Sequence, residues 1–311
     1  MRNAWSETLL EIAREDEKVI LLVGDIGFGV FDKFRIEFPQ RFINCGVAET
    51  NMIGTAAGLA MMGMKPIVYT IIPFLLMRTF EQIRNDICMQ NLPVTLVGVG
   101  GGLSYGTLGP THHAIEDISL MRSLPDMRIV SPCDPKEAQW CFKNIMKDLK
   151  PTYLRLGKGG EKNLLDDFSN TERSFGSPHE ILKGKDISIV SSGYILEYSL
   201  KIYHRLKEEG HSISLINIHQ IKPLNRKKII DLNKGKKIIV VIEEHSKFGG
   251  LGDAWLDSIS ELDQKPAVIK IAIDDKFVKD IGDRDYLLNL YGFNTDRIID
   301  KILKKLNELA S

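Results

Sequence analysis

The stretch FINCGVAETNMIGTAAGLAMMG, residues 42–63, is followed after two residues by the apolar run PIVYTI, residues 66–71. The first reads as a helix over 49–62 and the second as a short buried strand, which together form part of a βα unit of a parallel sheet. Working outward, the same alternation recurs. Further strands are expected at 19–24, 93–100, 127–132 and 151–157, with helices at 3–15, 74–90, 114–123 and 134–148. Residues 158–180 are polar and rich in glycine, serine and charge, without a sustained period, which reads as a linker. The alternation then restarts, with strands at 187–193, 211–218, 236–244 and 267–273 and helices at 194–209, 224–233, 250–263 and 295–309. The expectation is α/β with two doubly wound domains, 1–160 and a smaller 181–311, joined by a linker at 161–180. No tandem repeat is visible.

Composition narrows the function. Lys+Arg and Asp+Glu are equal at 41 each, so no net field draws in nucleic acid or an anionic membrane. No apolar run approaches the roughly 18–20 residues of a membrane span. The start, MRNAWSETLLEIAREDEK, lacks a basic-then-apolar leader pattern, and a cytoplasmic protein that meets small substrates or protein partners is expected. Cys45, Cys88, Cys133 and Cys141 are scattered without a CxxC pair, which argues for reduced thiols over a zinc site or disulfide framework.

In doubly wound folds ligands bind beyond the carboxyl ends of the strands, and the unusual residues fall there: GDIGFG after 19–24, GGLSYGTLGPTHHAIED after 93–100 and KGG after 151–157. The glycines at 98, 100, 101 and 102 miss the dinucleotide-binding spacing because Leu103 stands at its last position, and the next helix begins too late to meet a pyrophosphate. A GxxxxGK[ST] loop is absent. His112 and His113 end a long loop before a helix, where a capping role and a functional one are both open. Glu49 can be an ordinary first-turn acid. The small residues Gly54, Ala57, Gly58 and Ala60 behind it, however, let the helix pack closely into the core or a subunit interface. Its carboxylate is then expected to be buried, and so either paired or of raised pKa.

Taken together, FPQRFINCGVAETNMIGTAAGLAMMGMKPIVYT (38–70), FEQIRNDICMQNLPVTLVG (80–98), GPTHHAIEDISLMRSLPDM (109–127), IKPL (221–224) and EEHSKFGGLGDA (243–254) resemble the C-terminal half of transketolases, including split, two-subunit forms. The resemblance spans essentially the whole chain. It implies a pyrimidine-binding domain followed by a transketolase C-terminal domain, with thiamine diphosphate as cofactor. Glu49 matches the glutamate that hydrogen-bonds the aminopyrimidine and activates the cofactor. Phe74 matches the aromatic that stacks on that ring, flanked by Ile71 and Met77 as apolar wall. His112 matches a histidine near the cofactor amino group and the substrate oxygens, and Asp25 an acid on the thiazolium side. Arg2 and Lys158 fall at positions that bind the substrate phosphate, although arginine is usual where Lys158 stands.

Three departures stand beside these matches. The family usually carries Asp at Leu108, His at Gly100 and Ser at Gly29, all polar contacts to the sugar, so transfer of a two-carbon ketol unit in a specialised sugar pathway, with a different or less hydroxylated acceptor, is expected. The GDG motif with a downstream Asn, which holds Mg²⁺ and the diphosphate, is also missing. The implied partner is therefore an N-terminal transketolase-like subunit that carries this motif and the Mg²⁺, in an α2β2 heterotetramer. Rival readings keep the cofactor but decarboxylate a 2-oxoacid, as in the β subunit of a dehydrogenase E1 or a deoxyxylulose-phosphate synthase, or make the chain a non-catalytic scaffold.

Overall fold

The computed structural model describes residues 1–165 and 173–310. Its strands are β1 Val19–Val23, β2 Phe42–Asn44, β3 Lys65–Ile71, β4 Thr95–Val99, β5 Arg128–Val130, β6 Thr152–Leu156, β7 His179–Leu182, β8 Ile187–Ser191, β9 Ile213–Asn217, β10 Gln220–Lys222, β11 Ile238–Ser246 and β12 Ala267–Ile273. They form a seven-stranded sheet in the order β10-β5-β6-β4-β3-β1-β2 and a five-stranded sheet in the order β12-β11-β8-β9-β7. All pairings are parallel except β10 on β5 and β7 on β9. Strands β1, β4, β6, β8 and β9 are buried along their whole length, as expected where helices cover both faces.

Each expected strand is present. The missed ones are the three edge strands β2, β7 and β10, two of them only three residues long, too short for a period to show. The helix expected over 74–90 is instead broken. Ile72–Leu76 forms one turn, Met77–Thr79 bends, and the chain continues through Phe80–Gln82 into a π-helical turn, Ile83–Cys88. Pro73 is tolerated because the first turn of a helix leaves its N–H groups unpaired anyway. Helices Asp32–Glu37 and Arg284–Leu290 were not expected.

The two sheets are not independent. Strand β10 comes from the second half of the chain yet pairs with β5 of the first sheet. Ile118, Met121 and Leu124 share one buried cluster with Ile216, Ile218, Leu251 and Trp255. In the expected linker, residues 166–172 lie outside the described residues. On its near side Leu164 and Leu165 donate backbone N–H groups to Asp134, and on its far side Phe175 stacks on His219. All four cysteines are free, and Cys88, Cys133 and Cys141 are buried. Among the described residues no helix is long and apolar enough to cross a membrane.

Candidate active site

The carboxyl ends of the first sheet carry the site. Strand β2 leads through a short turn, with Gly46 at φ +65°, into the helix Glu49–Met61. Glu49 is the first helical residue and is only 2% exposed. Arg78 Nη1 donates to its Oε2 at 2.9 Å, and among the described residues no other group hydrogen-bonds this carboxylate. Of the two states expected for a buried acid, the structure supplies the paired one. The partner was missed in the sequence, because Arg78 lies in the bend between Leu76 and Phe80, where no helical spacing applies.

From Arg78 a chain of ring contacts runs across the site. Its guanidinium lies 4.8 Å from the centre of the Phe74 ring, and Phe74 meets the His112 ring edge-on at 5.1 Å. Tyr105 also meets His112, at 6.2 Å between ring centres, and Lys158 Nζ lies 5.2 Å from the Tyr105 ring centre. Burial pushes the Tyr105 hydroxyl pKa up, and nearby Arg2 pulls it part of the way back. Glu49, Phe74, His112 and Lys158 are thus joined through two residues the sequence reading did not select, Arg78 and Tyr105. The paired histidines separate: His112 is partly exposed and its Nδ1 meets Thr111 Oγ1 at 3.0 Å, whereas His113 is buried and burial lowers its pKa.

Arg2, Lys158, Gly159 and Gly160 line a cleft of about 520 Å³ at the outer end of this row. Ile71 precedes the Phe74 turn and is partly buried, and Met77 closes that turn at 41% exposure. Asp25, at φ +53°, is tied instead to Asn44, which donates to its Oδ1 at 3.0 Å and accepts its backbone N–H. Its hydrogen bonds therefore go to the β2 end and not to Glu49 or His112.

The three departures have different physical grounds. Gly100 sits at φ +93°, and a Cβ there would come within 2.1 Å of the Tyr105 ring, so that ring fills the space a side chain would need. At Gly29 nothing lies within 4 Å of such a Cβ. Leu108 is 51% exposed, on the loop that carries His112.

Comparison with known proteins fits this geometry. Residues 1–160 match the model for the transketolase pyrimidine-binding domain, and residues 179–298 that for the transketolase C-terminal domain. The chain belongs to the transketolase family. Membership implies a thiamine diphosphate-dependent transferase. The chain is 33% identical over 84% of its length to a subunit of the apulose-4-phosphate transketolase of Phocaeicola vulgatus, covering 83% of that protein. It is 31% identical over 99% of its length to a putative transketolase C-terminal section of Methanocaldococcus jannaschii, covering 96% of it. A split-gene transketolase solved as an inactive β4 tetramer superposes with a TM-score of 0.87 at 31% identity, covering 98% of this chain and 97% of that one. The chain also matches 1-deoxy-D-xylulose-5-phosphate synthase of Clostridium perfringens, 32% identical over 98% of its own length but spanning only 49% of the synthase.

Proposed function

We propose that the chain is the catalytic subunit of a split transketolase, moving a two-carbon ketol unit from a phosphorylated ketose to an aldehyde. The observation that carries this reading is Glu49: a buried carboxylate with one oxygen occupied by Arg78 and the other without a hydrogen bond among the described residues. Such a group suits a ring nitrogen that needs an acceptor. Phe74, with Ile71 and Met77, offers the apolar surface for the same ring, so the pyrimidine end of the cofactor fits. When bound, thiamine diphosphate would supply a carbon nucleophile for the ketose carbonyl and an electron sink for the charge left by carbon–carbon cleavage.

The protein's own side chains do the rest. Glu49 accepts at its free oxygen and holds a proton on the aminopyrimidine. His112, with Nδ1 facing Thr111, presents Nε2 for proton exchange with substrate oxygens. Arg2 and Lys158 attract the phosphate, Lys158 as a point charge without the bidentate fork of arginine. Asp25 is assigned to the thiazolium side. Exposed Leu108 and the ring-filled space at Gly100 favour a substrate with fewer hydroxyls, because each lost polar contact removes a hydrogen bond that would select for one.

The diphosphate end is assigned to another chain, because this sequence lacks the GDG motif with a downstream Asn that the family uses to hold it. We assign the diphosphate and Mg²⁺ to an N-terminal transketolase-like subunit in an α2β2 heterotetramer. The outward face of the Glu49–Met61 helix supports such an assembly: Gly54 and Gly58 open onto empty space, and Met61 and Met62 are 62% and 83% exposed.

The test is reconstitution with that subunit, thiamine diphosphate and Mg²⁺. Glu49→Gln should lower turnover of a ketose phosphate by about 10²–10⁴-fold, the usual weight of a proton-transfer group; near-normal turnover would sink the assignment. The likeness to the synthase favours a second reading in which a 2-oxoacid is decarboxylated first. Release of carbon dioxide from pyruvate by the complex would select it.

A further inference from the structure

The motif EEHSKFGGLGDA lies in the second domain, which carries none of the site residues named above. Its two glutamates, at the end of β11, point to opposite sides, as successive strand residues must. Glu243 serves its own domain: its carboxylate accepts the backbone N–H groups of Leu251 and Gly252 at 2.6 and 2.9 Å, at the start of the helix Leu251–Ile259. Glu244 reaches across to the first domain.

Glu244 Oε1 accepts the backbone N–H of Leu103 at 2.7 Å. Arg284 secures the same carboxylate with Nε at 3.0 Å and Nη2 at 2.6 Å from Oε2. Glu244 is buried, and Arg284 has only 15% of its side chain exposed. Leu103 opens the loop that carries Tyr105, Leu108 and His112, and a pair of backbone hydrogen bonds between Gly102 and Ala114, both 2.9 Å, closes it. Gly102, at φ +66°, is the cradle for the contact, since a Cβ there would lie 2.4 Å from the Glu244 carboxylate. Arg155 braces the other arm, donating Nη2 to the carbonyls of Ala114 and Glu244 at 3.0 and 3.2 Å. Two further backbone bonds tie the loop and its exit to the second domain: Gly282 N–H to Gly106 O at 3.3 Å and Ser246 N–H to Ile115 O at 2.7 Å.

We infer that Glu244, secured by Arg284, is a positioning residue for His112, so that the second domain sets the reactivity of the first by holding this loop. The inference rests on the functional reading above, in which His112 acts on the substrate. His112 stands two residues before the Gly102–Ala114 bridge, and a shift of that bridge moves its ring against Phe74.

The experiment is a double-mutant cycle on the reconstituted two-subunit enzyme, comparing Glu244→Ala, His112→Ala and the pair. Glu244→Ala should lower kcat about 10- to 100-fold, the effect of displacing a reacting group by about 1 Å. In the His112→Ala background the same change should cost less than about 3-fold, because the two residues act through one another. Glu244→Gln, which keeps an acceptor for the Leu103 N–H, should recover most of the lost rate. Full rate in Glu244→Ala, or equal losses with and without His112, overturns this inference alone. A His112→Ala enzyme of normal rate overturns it together with the functional reading. If Glu244→Ala fails to assemble, Arg284→Gln takes its place in the same cycle and is judged by the same outcomes.

Discussion

Glu49 and Glu244 are both buried carboxylates paired with an arginine, yet they are built for different ends. Glu244 is enclosed: Leu103 and Arg284 supply its donors, and Arg284 is itself largely covered. Among the described residues Glu49 has a single donor, and that arginine is 47% exposed. A fully satisfied buried charge fixes structure, whereas one with an oxygen to spare is open to a ligand. The contrast can be tested by asking which substitutions damage the fold and which damage only chemistry.

The largest effect on stability is expected beneath the loop, at Arg155 and Asp117. Arg155 Nε donates to Asp117 Oδ2 at 2.7 Å, and Tyr153 adds its hydroxyl to the same oxygen at 2.6 Å. Burial by itself would lower the Arg155 pKa, but the Asp117 carboxylate pushes it above its ordinary value. Arg155→Met leaves Asp117 charged in the interior, which costs about 3–5 kcal/mol when one partner of a buried pair is removed. Urea unfolding measures it. A loss below about 1 kcal/mol would place this pair with Glu49 instead.

A smaller loss is expected at Gly100, where packing and not charge is at stake. Gly100→Ala forces a methyl into the Tyr105 ring, and overpacking of this kind costs about 1–3 kcal/mol. The positive φ adds a further cost of about 1–2 kcal/mol. Gly100→Ala/Tyr105→Ala should recover only the overpacking part relative to Tyr105→Ala. Full recovery would show that backbone strain is negligible, and no recovery that the ring does not fill this space.

Between the sheets, buried histidines link stability to pH. His219 is fully buried beside Trp140 and Phe175, accepts the Gly176 N–H at Nε2, and has Nδ1 3.9 Å from Glu137. Burial lowers its pKa to about 3 and that of His179 to about 4. The unfolded chain takes up these protons as pH falls through about 6.5 and the native state does not, so the unfolded state binds more protons. The contribution is fully present above about pH 6.5 and is lost as pH falls through the folded values, with a slope of up to about 1.4 kcal/mol per pH unit for each histidine. Glu137 is also buried, and burial raises its pKa, which opposes the trend in the lower part of this window. Unfolding free energies between pH 7.5 and 5.5 should fall with acid, and His219→Gln should flatten the slope. An unchanged slope in that variant would remove His219 from the account.

How far the sequence could lead depends on which interactions are local. Full-length parallel strands announce themselves by apolar runs such as 19–24, and the helix after Glu49 by its composition; β10 does not, because its place is decided by a partner about ninety residues earlier in the chain. Of the residues proposed for the site, Glu49 and His112 lie inside the quoted motifs, and Phe74 lies between two of them. Arg78 was not legible, because it lies in the bend that breaks the expected helix. Tyr105 needed the knowledge that Gly100 leaves room for its ring, and Glu244 and Arg284 act across a domain boundary where neither period nor spacing carries information.

The smallest effect on the fold is expected at Glu49 itself. Glu49→Gln keeps the shape, and water can solvate the freed Arg78 because half of that side chain is already exposed. Because the buried position becomes neutral and the cation left behind is half-exposed, no uncompensated charge remains in the interior; the loss should stay near about 0–1 kcal/mol and the unfolding midpoint in urea should barely move. The same substitution is expected to remove most of the turnover, and that division is the signature of a group kept for a ligand. If Glu49→Gln destabilised the chain by more than about 3 kcal/mol, the pair with Arg78 would be a structural bridge like that of Arg155 and Asp117. Lost activity would then report a damaged fold, and the difference between the two glutamates would disappear.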